Sequence, residues 1–320
     1  MNNQTVLVTG GSGFVGIHSI LQLLQKGFYV NTTIRSLTKK DSITNALKEG
    51  GISDFNRLSF YEADLTKDAG WEEAMKNVSY VLHVASPFPA EPPGDENELI
   101  IPARDGALRV LKAAKKAAVK RVVLTSSFAA VGYSMDRKDH IFTEEDWTDV
   151  NVPLPAYIKS KTVAEKAAWD FIENDGGGLE LTVINPVGIF GPIIGDISSA
   201  SLDIAVKGIL NGTTNESPDF TMGIVDVRDV AAIHILAMDH PETAGQRFIA
   251  CTDGVMSFYD VAQLFKNERP EMAATIAAMK PTAKEFYFEI SNQKAKKMLG
   301  WQPKSRQEAL LASVDSLKSN

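Results

Sequence analysis

With 320 residues, 44% hydrophobic and 23% charged, the chain has a globular make-up and the length for one large α/β unit or a nucleotide domain with a smaller companion. Its 33 basic and 40 acidic side chains leave a net charge of −7, which weighs against nucleic acid or an anionic membrane as partner, since both need a basic surface. The single cysteine, Cys251, excludes an internal disulfide framework, and five histidines without metal-ligand spacing give no reason to expect a metal. No basic segment leads into an apolar one at the start, and no apolar run approaches the ~20 residues that span a bilayer. The expectation is a cytoplasmic monomer or homodimer acting on a small molecule.

Short β-branched runs alternate with helical stretches through the first 185 residues. Strands are expected over 5–8, 29–34, 58–61, 80–84, 121–124 and 181–184, and helices over 13–26, 39–48, 71–76, 98–118 and 156–174. Such alternation predicts an α/β fold with a Rossmann-type, doubly wound parallel sheet. The run Val81-Leu82-His83-Val84 lacks polar alternation, as a strand covered on both faces should. After Asn185-Pro186 the pattern weakens: residues 186–221 and 252–320 are rich in Gly, Pro and Ser, and suggest a smaller, discontinuous C-terminal α/β substrate domain. Residues 225–238 and 247–251 look like a return to the main fold, so the nucleotide domain is expected to hold 1–185 with about 222–251.

The first strand runs into Thr9-Gly10-Gly11-Ser12-Gly13-Phe14-Val15-Gly16 and then a helix. A turn here must bend sharply, bring backbone against a pyrophosphate and let helix and strand pack closely. Glycine serves each need, and helix N-terminal amides hold the anion. A glycine triplet alone is a weak signal; a strand before it and a helix after it supply the context. The residues expected to hold the cofactor here are Gly10, Ser12, Gly13, Phe14, Val15 and Gly16.

The second strand ends in Ile34-Arg35-Ser36. An NAD site usually places a carboxylate there for the ribose 2′-hydroxyl, whereas an arginine can pair with the 2′-phosphate of NADP. Arg35, with Lys39 and Lys40 close behind, therefore points to NADPH. Asp64-Leu65 ends the third strand, where a carboxylate could accept from the adenine amino group or simply cap the next helix.

Tyr157 and Lys161 stand at i and i+4, one turn apart on a helix face. Carbonyl reduction needs a proton donor at the oxygen as hydride reaches the carbon, and a phenol whose pKa is lowered by an ammonium serves. The fifth strand ends in Thr125-Ser126-Ser127, placing hydroxyls at the same sheet edge. Pair, strand end and glycine loop fall in the order that one crevice requires.

These residues resemble the extended short-chain dehydrogenases/reductases, and within them the dihydroflavonol-reductase-like group that includes aldehyde and ketone reductases. The likeness runs through the glycine loop, His83-Val84-Ala85-Ser86-Pro87, Thr125-Ser126-Ser127, the stretch from Tyr157 to Trp169, Asn185-Pro186-Val187 with Gly191-Pro192, and Val225-Asp226-Val227-Arg228-Asp229. Near the end, the run from Asn292 to Gly300-Trp301 resembles the family's last helix. The resemblance implies Tyr157 as acid, Lys161 on the nicotinamide ribose and Ser127 as hydrogen-bond donor to the carbonyl. It also implies cofactor contacts at Val84, Ala85, Ser86, Thr125, Pro186, Val187 and Ser201.

Two departures narrow the activity. Plant dihydroflavonol reductases carry an asparagine five residues after the serine, where this chain has Gly132, and cinnamoyl-CoA reductases show a different run ahead of the tyrosine than Leu154-Pro155-Ala156. A general NADPH-dependent reductase of aldehydes and ketones, ketoesters included, is expected. The alternatives are an NAD-dependent nucleotide-sugar epimerase or dehydratase, and a non-catalytic NADP-binding redox sensor. Ser86, Phe88, Phe128, Tyr133 and Ile189 are expected to line a mostly apolar substrate pocket. His83 reads as a satisfied core histidine, Cys251 as a small buried hydrophobe, and Glu144-Glu145-Asp146 as a solvated turn.

Overall fold

A computed structural model describes residues 3–87, 93–135, 139–197 and 199–317. Its first part alternates β1 (Thr5–Thr9), α1 (Phe14–Gln25), β2 (Tyr29–Ile34), α2 (Lys40–Glu49), β3 (Leu58–Glu62), α3 (Trp71–Ala74), β4 (Val78–His83), α4 (Asn97–Lys116) and β5 (Arg121–Thr125). A short β6 (Ile141–Phe142) precedes α5 (Ala156–Asp175) and β7 (Glu180–Pro186). Every strand of this part is one expected from the sequence, with ends moved by a residue or two, apart from the two-residue β6.

Seven parallel strands form the main sheet in the order β10-β7-β5-β4-β1-β2-β3, where β10 is Gln246–Ala250. The apolar character of the strands follows from the two cores they separate. Val6, Val8, Leu82, Val123 and Phe248 enter one core with α1 and with α8 (Val227–Asp239), while Leu7, Val81, Val122, Leu124 and Val183 enter the other with α3, α4 and α5. Neighbouring residues thus point to opposite sides, and both sides are dry.

The rest of the chain builds the cover. β8 (Gly188–Phe190), β9 (Met222–Asp226) and β11 (Val255–Met256) make a three-stranded sheet, β9 parallel to β8 and antiparallel to β11. Between β8 and β9 runs α6 (Ala200–Leu202), a π-helical turn over Asp203–Lys207, and α7 (Gly208–Leu210). After β11 come α9 (Phe258–Glu268), β12 (Glu289–Ile290), which pairs in parallel with β6, then α10 (Gln293–Leu299) and α11 (Arg306–Leu317). The stretch 222–251 divides between the two sheets. α8 and β10 join the main fold, β10 at the edge beside β7, and β9 belongs to the small sheet. Among the described residues, no helix is long and apolar enough to cross a membrane.

Candidate active site

Because the strands of the main sheet run parallel, their carboxyl ends share one edge. The chain proceeds from β1 to β2 and β3 on one side and to β4, β5, β7 and β10 on the other, so a crevice opens between β1 and β4, where such sheets take their ligands. Gly10 turns the chain there at φ +71°, and a Cβ on it would lie 3.1 Å from Ala85 Cα in the loop after β4. A Cβ on Gly16 would lie 2.2 Å from the Gly10 carbonyl oxygen, so only glycine lets α1 close on the turn. Gly13 is the N-cap of α1 and carries no side-chain cap, which leaves the positive helix end to the loop. Phe14, Val15 and Gly16 are buried in the first turn, and Ser12 is half-buried at the lip. A side chain at 10 or 16 would force this turn open, and a tight glycine turn at an uncapped helix N-terminus suits the pyrophosphate of a dinucleotide.

Thr9 ties the two sides of the crevice together. Its hydroxyl oxygen accepts the N–H groups of Val84 (3.1 Å) and Ala85 (3.0 Å) and donates to His83 Nδ1 at 2.8 Å. His83 is buried, and burial pulls its pKa down to about 3, so the ring is neutral with its proton on Nε2. His83 is therefore a buried, neutral histidine bonded to Thr9.

Arg35 is exposed at the end of β2, with Lys39 and Lys40 at the start of α2. Asp64 lies at the same edge, where its Oδ1 takes both the N–H and the O–H of Thr66 at 2.8 Å. Those two hydrogen bonds hold its carboxyl below the usual range and shape the turn after β3. Leu65 packs toward α4, close enough that a Cβ on Gly106 would come within 3.0 Å of it. The Thr125 hydroxyl donates to His234 Nε2 at 2.6 Å, since His234 Nδ1–H is committed to the Val230 carbonyl at 2.7 Å. The side chain is turned onto α8, and its proton is not free for a cofactor. Ser201 is half-buried in α6, whose first turn is capped by Ser199. Pro186 ends β7, and Val187 N–H donates to the Ala250 carbonyl.

On α5, which starts after Pro155, Tyr157 and Lys161 occupy successive turns of one face, both half-buried. Ser127, in extended backbone after β5, has its oxygen fixed by the Ala129 N–H at 3.1 Å and hydrogen-bonds the Tyr157 phenol. Lys161 Nζ lies 6.0 Å from the centre of the Tyr157 ring. Burial raises the Tyr157 pKa, and the Ser127 hydrogen bond opposes that rise. The sequence expects a phenol acidified by Lys161; here desolvation wins, and the phenol stands protonated as an acid must. Lys161 is drawn down to about 8 by the same burial, with Glu165 opposing.

Beside Lys161, Ser86 lines a small cavity with His83, Ser126 and Glu165. Phe128, read from the sequence as a pocket wall, is only 4% exposed. Its ring packs on Phe142 at 5.5 Å, Phe288 at 6.1 Å and Tyr133 at 5.8 Å, so it is a core residue under the site. A Cβ on Gly132 would meet Phe142 at 2.6 Å, so this cluster fills the space where a side chain at 132 would begin. Tyr133 is half-buried at the cluster's margin, and Ile189 packs against the main core. Phe88 lies outside the described residues. Glu144 is not a solvated residue: its carboxylate accepts the Ile249 N–H at 2.9 Å and burial raises its pKa. Cys251 is fully buried and its thiol is pushed up, as for a small hydrophobe.

Sequence reasoning missed the buried pair Glu165–Arg247 and the ring of His234. The available signal for Glu165 was a carboxylate at i+8 from Tyr157, on the helix face that carries the reactive groups.

Comparison with known proteins agrees with this geometry. The model of the 3-beta hydroxysteroid dehydrogenase/isomerase family matches residues 7–265. The chain belongs to this family. Within it, this extended short-chain dehydrogenase/reductase is 35% identical to a putative NADPH-dependent methylglyoxal reductase of Candida albicans, over 94% of each chain. It is 32% identical to an NADPH-dependent methylglyoxal reductase of Saccharomyces cerevisiae, over 96% of each. The crystal structure of the yeast methylglyoxal/isovaleraldehyde reductase complexed with NADPH superposes with a TM-score of 0.88 at 30% identity, covering 99% of this chain and 98% of that one.

Proposed function

We propose that the chain is an NADPH-dependent carbonyl reductase that converts aldehydes and ketones, ketoesters included, to alcohols through Ser127, Tyr157 and Lys161. The observation that carries this reading is the hydrogen bond from Ser127 to the Tyr157 phenol, beside the glycine cradle and one helical turn from Lys161. NADPH bound in the cradle supplies hydride to the carbonyl carbon. The Tyr157 phenol gives its proton to the carbonyl oxygen, and the Ser127 hydroxyl holds that oxygen by a hydrogen bond. The Lys161 ammonium stabilises the phenolate left behind. Arg35 with Lys39 selects the 2′-phosphate. The substrate-binding unit is 186–221 with 252–320, whose small sheet β9 completes, and the nucleotide unit holds the remainder. The protein works in the cytoplasm as a monomer or homodimer.

Small uncharged carbonyls are the favoured class, because among the described residues expected in the pocket, Ser86, Phe128, Tyr133 and Ile189, none carries a charge to hold a carboxylate or a diphosphate. The test is consumption of NADPH by the purified chain with methylglyoxal, isovaleraldehyde and benzaldehyde, compared with pyruvate and a UDP-sugar. Turnover of the aldehydes is expected. Tyr157→Phe should lower kcat by roughly 10²–10⁴-fold and leave NADPH binding in place. Preference for pyruvate or the UDP-sugar, or a Tyr157→Phe enzyme that keeps more than about a tenth of kcat, would overturn the reading.

A further inference from the structure

Glu165 follows Lys161 by one turn and Tyr157 by two on the same face of α5, and it is fully buried. Its Oε2 accepts from Ser126 Oγ at 2.5 Å and from Asn185 Nδ2 at 2.7 Å, and its Oε1 from Arg247 Nε at 2.6 Å and Trp169 Nε1 at 3.3 Å. A carboxylate taken out of water costs several kcal/mol unless its lone pairs are filled. Here donors come from the end of β5, from β7, from β10 and from α5 itself.

Each partner is in turn tied to the reactive groups. Ser126 precedes Ser127 in the chain, and Asn185 Nδ2 also donates to the Ser127 carbonyl at 3.1 Å. The opposite amide orientation would set Asn185 Oδ1 against two acceptors, so the sense of this side chain is fixed. Arg247 donates from Nη1 to the carbonyls of Glu144 (2.7 Å) and Asp146 (2.9 Å), and its guanidinium lies 3.7 Å from the centre of the Trp147 ring. The segment that leads from Ser127 to α5 is thereby held from below.

We propose that Glu165 is a positioning residue of this site: its buried carboxylate joins the strand end that carries Ser127 to the helix face that carries Tyr157 and Lys161, and sets a negative charge one turn behind the Lys161 ammonium. The inference rests on the reductase reading above. Among the groups facing Lys161, Tyr157 on α5 is protonated and His83 from β4 is neutral, and Ser86 and Ser126 carry no charge. Glu165 is the group that opposes the desolvation of the ammonium, and Arg247 is its ion-pair partner at 2.6 Å.

The experiment is the pH profile of kcat for aldehyde reduction in Glu165→Gln, in Glu165→Asp and in the double variant Glu165→Gln/Arg247→Gln. The double variant leaves no unpaired Arg247, and if the single one does not fold it should still move the limb down, by less, because Glu165 acts on Lys161 more strongly than Arg247 does. Reduction needs Lys161 charged, so activity is present below its pKa and lost above it. Removing the negative charge should move the alkaline limb down by about one pH unit, so that kcat above neutrality falls about tenfold, with the NADPH dissociation constant changed by less than about twofold. Glu165→Asp should keep the limb near its wild-type position. A merely structural Glu165 would lower thermal stability and leave the limb where it is, and that result overturns the proposal. Tyr157→Phe run alongside separates the two failures: if it stays active, the reductase site itself is wrong, and if it is inactive while the limb is unmoved, only the role of Glu165 is wrong.

Discussion

Arg35 stands in water at the end of β2, with two lysines a few residues on, and in that setting a bound 2′-phosphate is the group it can hold in a bidentate pair. Such a pair contributes about 1.5–3 kcal/mol. Arg35→Ala should therefore raise the Michaelis constant for NADPH by roughly ten- to a hundredfold and leave that for NADH nearly unchanged. Equal use of both cofactors by the unmutated chain would remove the basis for this assignment. Single candidates could be singled out where a chemical need matches a position: Tyr157 and Lys161 by their spacing and Arg35 by its place at a strand end, with Ser127 implied by the family resemblance. The hydrogen bond of Thr125 could not be read in this way. Its partner, His234, is 109 positions away, and nothing in the local sequence says on which side of the sheet its hydroxyl is spent.

Among the elements, the segment after β5 departs most from its reading. Phe128, Phe142 and Phe288 come from three separate stretches and meet edge-on or stacked in one buried cluster. A Phe-to-Ala change at such a site costs about 3–5 kcal/mol. Phe128→Ala should accordingly lower the free energy of unfolding by about that much, read from the midpoint and slope of urea unfolding followed by circular dichroism, rather than act mainly by widening the choice of substrates. A variant as stable as the parent with an altered substrate profile would return Phe128 to the pocket wall. Helices and strands of the first 185 residues were legible because period and turn chemistry agree along them. The short strands of the cover were not, since two- and three-residue pairings such as β6 with β12 carry no period of their own.

For the molecule as a whole, burial of three histidines makes stability depend on pH. His18 and His234 are drawn down to about 4 and His83 to about 3, in each case chiefly by desolvation. All three are neutral when folded and take up protons near pH 6.5 when unfolded. Their cost is absent above that value and grows as pH falls, so the stability they permit is lost progressively between pH 6.5 and 4. Each contributes about 3 kcal/mol of destabilisation by pH 4. Thermal midpoints should be level above pH 7 and drop steeply below 6. A flat profile down to pH 4.5 would show that these rings accept protons in the folded state.

By itself the sequence determined the parallel sheet and the glycine turn after β1, and it singled out Ser127, Tyr157 and Lys161 as candidates, because each of these readings depends on residues within one turn, one helix or one strand end. Strand alternation and a glycine loop need no distant partner to be recognised. The tertiary structure alone decided which sheet β9 would join, that Phe128 lies in the core, and that one buried carboxylate gathers Ser126, Asn185, Trp169 and Arg247. Those outcomes turn on which groups lose water together, and desolvation is a property of the packed chain rather than of any stretch of it.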